Sequence, residues 1–365
     1  MNVPLWEPIK NYLMKLERKI LPLMLFLALA LSSACKKSSI DVELVEKETP
    51  VEFRAQSQAT WVKSRTSSKM FPYDDFGVWG MARQGEDVIY NLWGNQSLTE
   101  VNKNTATGLF EPTVDAYWLK GYAYNFIAVA PYNDSGYSFI SASPAATANP
   151  WDHVSFRYDI SGKYARPTDY TFDLLGAAAD SDGPVSGGRT ASQHLSFWHL
   201  LSKIIITIQF GKDTEGNSIN AVVNTVRISP IPSCVYTLSY DDESDAYTAP
   251  LVVQCSPNIS ASKPTVTFNP NAAKATVGPL NVIPQDVSTI GLEIDFTINE
   301  GTAQSPIYVP YTGFIVDLNV PGKVATLEPN GQYNYTITIG AKAGITFEVD
   351  VQEWETPDEI PEINM

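Results

Sequence analysis

The sequence predicts an all-β fold, organised as two β-sandwich domains in tandem behind an export signal. Tyr (18), Phe (15), Trp (8), Pro (25) and Gly (22) are abundant, and these residues are typical of strands and turns. Short segments of alternating apolar and polar residues recur between turn-forming residues, which is typical of a sandwich. About 330 residues remain after the export signal, and this length favours two domains over one.

The export signal lies near the N-terminus, where basic residues at positions 15, 18 and 19 precede an apolar run from Ile20 to Leu31. This run has 12 residues, whereas a membrane-spanning helix needs about 20. Small residues follow at positions 32–34, as they do at a cleavage site for a signal peptidase. Residues 1–34 are therefore predicted to be a signal peptide.

Cys35 follows the small residues, and the segment Leu31–Cys35 resembles a bacterial lipobox. A peptidase cuts a lipobox before its cysteine, whose sulfur then carries a diacylglyceryl group. Cys35 is therefore predicted to be the lipidation site of a lipoprotein; an ordinary secretory signal with an incidental cysteine is the alternative. Residues 35–50 are polar without a strand pattern and are interpreted as a tether.

The N-terminal β-sandwich domain is predicted to span residues 51–185. It begins with a strand over residues 51–58, in which Val51 and Phe53 alternate with polar residues and Arg54 lies in the middle. Further strands of this domain are predicted at 76–82, 87–92, 110–118, 122–130, 154–158 and 170–176.

The C-terminal β-sandwich domain is predicted to span residues 186–354, because the Asp-, Ser- and Gly-rich segment 180–188 is the strongest break in the chain. Its strands are predicted at 194–210, 221–229, 234–240, 246–255, 280–285, 290–298, 333–339 and 345–354. Residues 355–365 form an acidic tail.

Two cysteines of the body, Cys234 and Cys255, lie nearly symmetrically about the turn of a predicted hairpin. At that spacing they face each other at the open end of the hairpin. Because an envelope compartment is oxidising, we predict a disulfide between them, worth about 3 kcal/mol for a loop of this length. Two separately buried thiols are the alternative.

The charge of the chain argues against nucleic acid and anionic lipid as partners. Removing residues 1–34 takes away four basic and two acidic residues, so the net charge moves from −15 to −17. A surface this acidic repels phosphate groups, and we therefore expect no nucleic-acid partner.

The sequence offers little for catalysis. The three histidines, His153, His194 and His199, lack a zinc-binding spacing, and His199 is interpreted as a partly buried residue with a satisfied partner. The motifs of hydrolases, P-loop enzymes and dinucleotide-binding enzymes do not occur. We therefore predict no catalytic residues, no cofactor and no metal site.

Two further residue sets each have a functional and a structural interpretation. Carboxylates at Asp180, Asp182 and in segment 241–245 could bind calcium, but their spacing departs from the EF-hand and favours solvated turns. Three tryptophans could form a sugar-binding platform or, more often for strand aromatics, belong to the core: Trp79, Trp93 and Trp118.

Several segments, taken in their order and spacing, resemble the fimbrillin family, the subunits and accessory proteins of type V pili in Gram-negative anaerobes. The segments are the lipobox at Cys35, a strand followed by Ser64-Arg65-Thr66, Phe76–Gly80, Trp118–Tyr132, Asp173–Ala177, Phe197–Ile204, Leu280–Gln285, Gly331–Ile337 and a closing strand that ends at Trp354. They span most of the chain after the signal.

The resemblance implies two transthyretin-like sandwich domains and export to the outer membrane as a lipoprotein. It further implies that an arginine-specific protease removes the first strand, with Arg65 as the cleavage site and Arg54 as the second choice. Val51 and Phe53 are then the inward residues of a plug. A neighbouring pilin subunit donates a strand to the emptied groove, and the fimbria presents a surface that binds a host or bacterial ligand.

The C-terminus departs from the pattern of a shaft subunit, which carries a donor segment beyond its last sandwich strand. The tail 355–365 has two prolines, which cannot donate hydrogen bonds to a sheet. This favours a tip or accessory subunit, although the strand 345–354 could itself swing out. The alternative function is an unprocessed surface lipoprotein that binds glycans through its aromatic residues.

Overall fold

A computed structural model of the protein describes residues 49–58, 68–84, 87–93, 98–141, 153–165, 172–181, 192–213, 215–240, 251–319, 324–340 and 345–353. Among these residues the regular structure is almost entirely β, as predicted; the exceptions are a short helix, α1 (Ser161–Tyr164), and a 3-10 turn at Val287–Thr289. The described part of the chain has no helix that is both long and apolar enough to cross a membrane.

The strands in chain order are β1 (Phe53–Gln58), β2 (Ser68–Met70), β3 (Asp75–Gln84), β4 (Asp87–Asn91), β5 (Thr99–Lys103), β6 (Phe110–Pro112), β7 (Ala123–Ala130), β8 (Tyr137–Ser141), β9 (His153–Asp159), β10 (Leu175–Asp180), β11 (Gln193–His199), β12 (Ser202–Phe210), β13 (Ala221–Ser229), β14 (Ser233–Tyr240), β15 (Leu251–Pro257), β16 (Val266–Phe268), β17 (Lys274–Val282), β18 (Gly291–Asn299), β19 (Tyr308–Val316), β20 (Gly331–Ile339) and β21 (Ile345–Glu353).

The first sheet closes on itself. Its strands follow the order β11-β10-β7-β3-β5-β6-β1, and β1 pairs in turn with β11, so that a barrel is formed. β2 is attached to β1, and β4 to β3. Closure means that each strand of the ring, including β1, has a neighbour on both sides. The interior is filled largely by aromatic rings, among them Phe53, Phe76, Phe110, Phe126 and Phe197.

A second sheet, in the order β15-β14-β9-β8, packs on the outside of this barrel. Its buried residues Phe156, Tyr236 and Leu238 belong to the same apolar cluster as Trp79 and Ile127 of the barrel strands β3 and β7. The sheet combines strands from the two halves of the chain, because β14 pairs antiparallel with every residue of β9.

The domain boundary predicted at residues 185/186 therefore does not separate the sheets, and the assignment of residues 193–199 to the C-terminal domain needs correction. These residues form β11, which pairs with β10 and β1 in the barrel. The described residues from Thr49 onward make one compact unit. The polar segment 180–188 connects two strands of the same sheet, and composition alone does not distinguish such a connection from a linker between domains.

The remaining strands form a sandwich of two four-stranded sheets, β17-β12-β20-β21 and β16-β13-β18-β19. Their facing side chains join one apolar cluster, in which the rings of Phe210 and Phe296 approach to 5.9 Å between centroids. The alternation predicted for β20 is confirmed, with buried side chains at Tyr333, Tyr335, Ile337 and Ile339.

β21 lies at an edge of the sandwich, where its described pairing is with β20 alone. In the predicted strand 345–354 the alternation puts Ile345, Phe347, Val349 and Val351 on one apolar face, yet Val351 is 50% exposed. The expectation that Val351 is buried is wrong, because an alternating pattern identifies the apolar face of a strand but not which of its residues other elements cover.

The burial pattern predicts that two substitutions by alanine, one on β20 and one on β21, lower the free energy of unfolding by unequal amounts. Ile337→Ala removes a fully buried side chain and is expected to lower the free energy of unfolding by about 2–5 kcal/mol. Val351→Ala, on the exposed edge strand, is the matched control and is expected to stay within about 0.5 kcal/mol of the parent protein. Equilibrium denaturation in urea measures both, and equal losses would contradict this assignment of the core.

Candidate strand-exchange site

β1 is held on both of its edges by strands from distant parts of the chain. On one side it pairs in parallel with β11, from Phe53↔Gln193 to Ser57↔Phe197. On the other side it pairs antiparallel with β2 over Gln56–Gln58 and with β6 at Phe53↔Phe110. β1 therefore occupies a slot in the barrel that its two neighbours define.

The inward face of β1 forms part of the barrel core. Val51 and Phe53 are 1% and 0% exposed, and Ala55 packs partly buried against the same cluster. The Phe53 ring meets Phe76 and Phe126 edge to face, with centroids 5.9 and 5.2 Å apart. Val51 and Phe53 thus have the inward orientation predicted from the sequence, and Ala55 continues the same period of two.

The outward face of β1 bonds to the outward face of β11. Arg54 donates from Nε to the Oγ of Ser192 at 2.9 Å, and Gln56 donates from Nε2 to the Oγ of Ser196 at 3.2 Å. Arg54 also lies opposite His194. Burial and, second, the Arg54 guanidinium lower the pKa of the His194 imidazole.

The segment before β1 is anchored through its backbone. The N–H of Val51 donates to the carbonyl of Ala116 at 2.8 Å, and the N–H of Trp118 donates to the carbonyl of Thr49 at 3.1 Å. On the other edge, the N–H of Gln193 donates to the carbonyl of Glu52 at 2.7 Å. Hydrogen bonding on both edges therefore extends from Thr49 through β1.

The slot is suited to an extended segment with an apolar side chain at every second position. If residues 49–58 leave, backbone groups of β11 lose their partners, and the rings of Phe76 and Phe126 lose their cover. Unpaired strand edges and uncovered apolar rings are costly in water, so a replacement strand is strongly favoured. The slot therefore suits a strand with the alternating pattern of β1.

The two processing residues predicted from the sequence, Cys35 and Arg65, lie outside the described residues. Residues 59–67, which contain Arg65, connect β1 to β2, and the described pairing of these strands begins at Gln58↔Ser68. Arg54 is exposed at its side chain, and its backbone pairs with β11 opposite His194, between the positions at which β1 pairs with β6 and β2 on its other edge.

The cysteines are adjacent, but not as predicted. Cys234 lies opposite Pro257, and Cys255 lies opposite Tyr236, so the two occupy diagonal positions on β14 and β15. The direct opposition predicted for the two cysteines is therefore wrong. Both thiols are free in this structure, and the disulfide stays a prediction. Burial, and then the neighbouring Cys255, raise the pKa of the Cys234 thiol.

The three tryptophans considered for a sugar-binding platform belong to the core. Trp79, Trp93 and Trp118 are 2%, 8% and 4% exposed. Trp93 donates from Nε1 to the carbonyl of Val114 at 2.9 Å, and the Trp118 ring packs edge to face on Tyr124. The structural interpretation of these residues is confirmed, and the platform is excluded.

His199 is buried, and its Nδ1 lies 2.7 Å from the Oδ2 of Asp173, which agrees with its interpretation as a residue with a satisfied partner. Within the described ranges, no group of three His, Cys, Asp or Glu side chains could hold a metal ion. Asp182 and segment 241–245 lie outside those ranges, as does the side chain of His153.

The lowered pKa of His194 predicts a pH dependence of stability. As the pH falls through about 6.5, its ordinary pKa, the unfolded chain takes up a proton more readily than the folded protein, so the free energy of unfolding falls. His194→Asn is expected to lose less stability than the parent protein between about pH 7.5 and pH 5.5. The loss in Arg54→Gln is expected to lie between those of the parent protein and His194→Asn. Urea denaturation at both pH values measures this, and identical losses in all three proteins would refute it.

Comparisons with known proteins place the chain in a family. A family model described as fimbrillin-like matches residues 64–354, whereas curated proteins give no match. Similar solved structures include a fimbrial protein from Bacteroides vulgatus ATCC 8482, with 12% identity, 84% of this chain and 99% of that chain covered, and a TM-score of 0.49. Another is a candidate cell adhesion protein from Bacteroides uniformis ATCC 8492, with 17% identity, coverages of 85% and 99%, and a TM-score of 0.45. Because the family match covers well over half of its length, the protein belongs to the fimbrillin-like family.

Proposed function

We propose that the protein is a structural or adhesive subunit of a type V fimbria, assembled by donor-strand exchange at the slot that β1 fills. Membership of the fimbrillin-like family supports this function. The observation that carries the mechanism is that Phe53 is fully buried on a strand with a partner on each edge. Removing this strand opens a groove, and the same contacts set the pattern of the strand that refills it.

Maturation begins with export as a lipoprotein, with Cys35 as the lipidated residue, and delivery to the outer membrane. An arginine-specific protease then cuts after Arg65, in the connection between β1 and β2. Arg54 is the weaker candidate, because a protease needs an extended, unpaired substrate and β1 is paired on both edges.

Cleavage changes the energetics of β1 without changing its contacts. Before the cut, the connection 59–67 keeps β1 at a high effective concentration beside its slot. After the cut, only non-covalent contacts hold it, and a strand from a neighbouring subunit competes on equal terms. Exchange follows if the incoming strand places apolar side chains at the positions of Val51, Phe53 and Ala55 and buries more apolar surface in total than β1 does.

The position of this subunit in the polymer is proposed to be the tip or an accessory site. Such a subunit accepts a strand without having to supply one, and the proline-containing tail 355–365 is a poor donor. The edge strand β21 is the alternative donor, because its described pairing is with β20 alone. The partners are other pilin subunits, the protease and a ligand on a host or bacterial surface.

The alternative, a glycan-binding lipoprotein that is never cut, has lost its support from the sequence, because Trp79, Trp93 and Trp118 are buried. The two functions differ in processing. The uncut lipoprotein of the alternative keeps residues 35–65, whereas a fimbrial subunit loses them.

Processing at Arg65 is tested by two matched substitutions in cells that assemble fimbriae. Arg65→Ala is expected to leave the surface protein uncut and to abolish its incorporation, whereas Arg54→Ala is expected to be processed with a new N-terminus at Thr66. N-terminal sequencing of the recovered protein measures this. A start at Cys35 in the parent protein would refute the proposed maturation.

Strand selectivity is tested with peptides that copy residues 49–58, added to the protein after cleavage and removal of β1. The parent peptide is expected to bind, and Phe53→Ser to bind at least tenfold more weakly, because burial of a Phe ring is worth about 1.5–3 kcal/mol. Gln56→Ala, which changes the outward face, is the control. Fluorescence polarisation gives both affinities. Equal weakening by the two substitutions would exclude a pocket for the Phe53 side chain in the emptied slot.

A further inference from the structure

A cleft of about 480 Å³ opens at one end of the sandwich, and its lining residues do not belong to the barrel strands. Its walls are Asp213 and residues 218–220, between β12 and β13, together with residues 298–301 at the end of β18 and Tyr311 of β19. The two sides are joined by a hydrogen bond, 2.8 Å long, from the N–H of Asn299 to the carbonyl of Asn220. The volume lies within the range of about 300–1,000 Å³ that is usual for small-molecule sites.

The lining of the cleft includes an aromatic residue, Tyr311. Tyr311 stacks on Phe296, with centroids 4.9 Å apart and planes 11° from parallel. Phe296 is buried and covers one face of the Tyr311 ring, and the half-buried Tyr311 lines the cleft. Ile219 and Ile298 add further apolar surface.

The polar groups of the cleft are fixed before any ligand arrives. The Oδ1 of Asn299 accepts hydrogen bonds from the N–H groups of Gly301 and Ile307, at 3.0 and 2.9 Å, which leaves its NH₂ group to donate. The Oε1 of Glu300 accepts from the Tyr311 hydroxyl at 2.9 Å, which leaves the Oε2 to accept. Donor, acceptor and ring are thus pre-organised, which lowers the entropy cost of binding.

The charge of the cleft selects against anions. Asp213 and Glu300 are its charged residues, and none of the described residues that line it is basic. The backbone N–H of Asn217 is the largest cause that lowers the pKa of the Asp213 carboxyl, so this group stays ionised near neutral pH. A sulfated or carboxylated ligand is repelled, whereas a neutral polyhydroxylated ligand is not.

We infer that this cleft binds a neutral sugar unit of a glycan. A pyranose ring presents an apolar C–H face, which suits the apolar lining from Tyr311, Ile219 and Ile298, and hydroxyl groups, which suit the NH₂ of Asn299 and the Oε2 of Glu300. The site goes beyond the proposed assembly role and does not depend on it, because its residues belong to the sandwich and not to the slot of β1.

The test uses the full, uncut chain on a glycan array that carries neutral, sulfated and sialylated oligosaccharides. Retention of at least one class of neutral glycan, with no retention of its sulfated or sialylated forms, is expected. Absence of any neutral glycan among those retained, or preference for anionic ones, overturns the inference. Because the chain is uncut, failure here leaves the strand-exchange mechanism untouched.

Substitutions locate the binding in the cleft, with the best neutral glycan of the array as the titrated probe. Asn299→Asp keeps the oxygen that bonds Gly301 and Ile307 but removes the NH₂ donor, so at least tenfold weaker binding at an unchanged melting temperature is expected. Tyr311→Leu is expected to weaken binding as strongly. Tyr308→Leu, 65% exposed on the same hairpin and outside the cleft, is the control. Unchanged affinity in Asn299→Asp, or an equal loss in Tyr308→Leu, overturns the inference.

Discussion

The parallel pairing of β1 with β11 is the contact on which the barrel depends. It closes a sheet that otherwise has two open edges, and it covers an interior made mostly of phenylalanine rings. The two strands are about 140 residues apart in the chain, so the contact is entirely non-local. Neither strand needs the other to keep its local alternating pattern, and the proposed exchange replaces one strand of the pair without changing the order of the others.

The sandwich of the C-terminal half has a different character. Its central strands β12, β20, β13 and β18 each have two neighbours within four-stranded sheets, and their alternating side chains fill one apolar cluster. Strands that are paired on both edges form a rigid support for a binding site, because rigid elements hold polar groups and rings in place without a ligand. The proposed strand exchange and the proposed glycan binding thus involve separate sets of residues, and either can be tested without the other.

The sequence predicted what depends on local pattern. The all-β class, the inward Val51 and Phe53, and the buried face of β20 all follow from a period of two that neighbouring residues impose. It did not predict which strands pair. The parallel partner of β1 and the pairing of β9 with β14 join residues far apart in the chain, and one sequence contains no local signal for either.

The errors have the same origin. Placing Cys234 opposite Cys255 assumed a symmetric hairpin, but a register offset of two residues puts Tyr236 and Pro257 in those places. The cleft of the sandwich was missed because Asn299 and Tyr311 come together only through the register of β18 and β19 and the loop beside them. The inward position of Ala55, by contrast, could have been predicted from the sequence, since it continues the alternation of Val51 and Phe53.

Hydrogen exchange of the β11 amides tests the central claim most directly, because it reports the pairing between β11 and β1. In the intact protein these amides are expected to be protected. After cleavage at Arg65 and removal of the released segment, peptides that cover residues 193–197 are expected to exchange faster, and protection is expected to return when a segment with the pattern of β1 is added. Protection of residues 193–197 that persists after β1 has been removed would contradict the account.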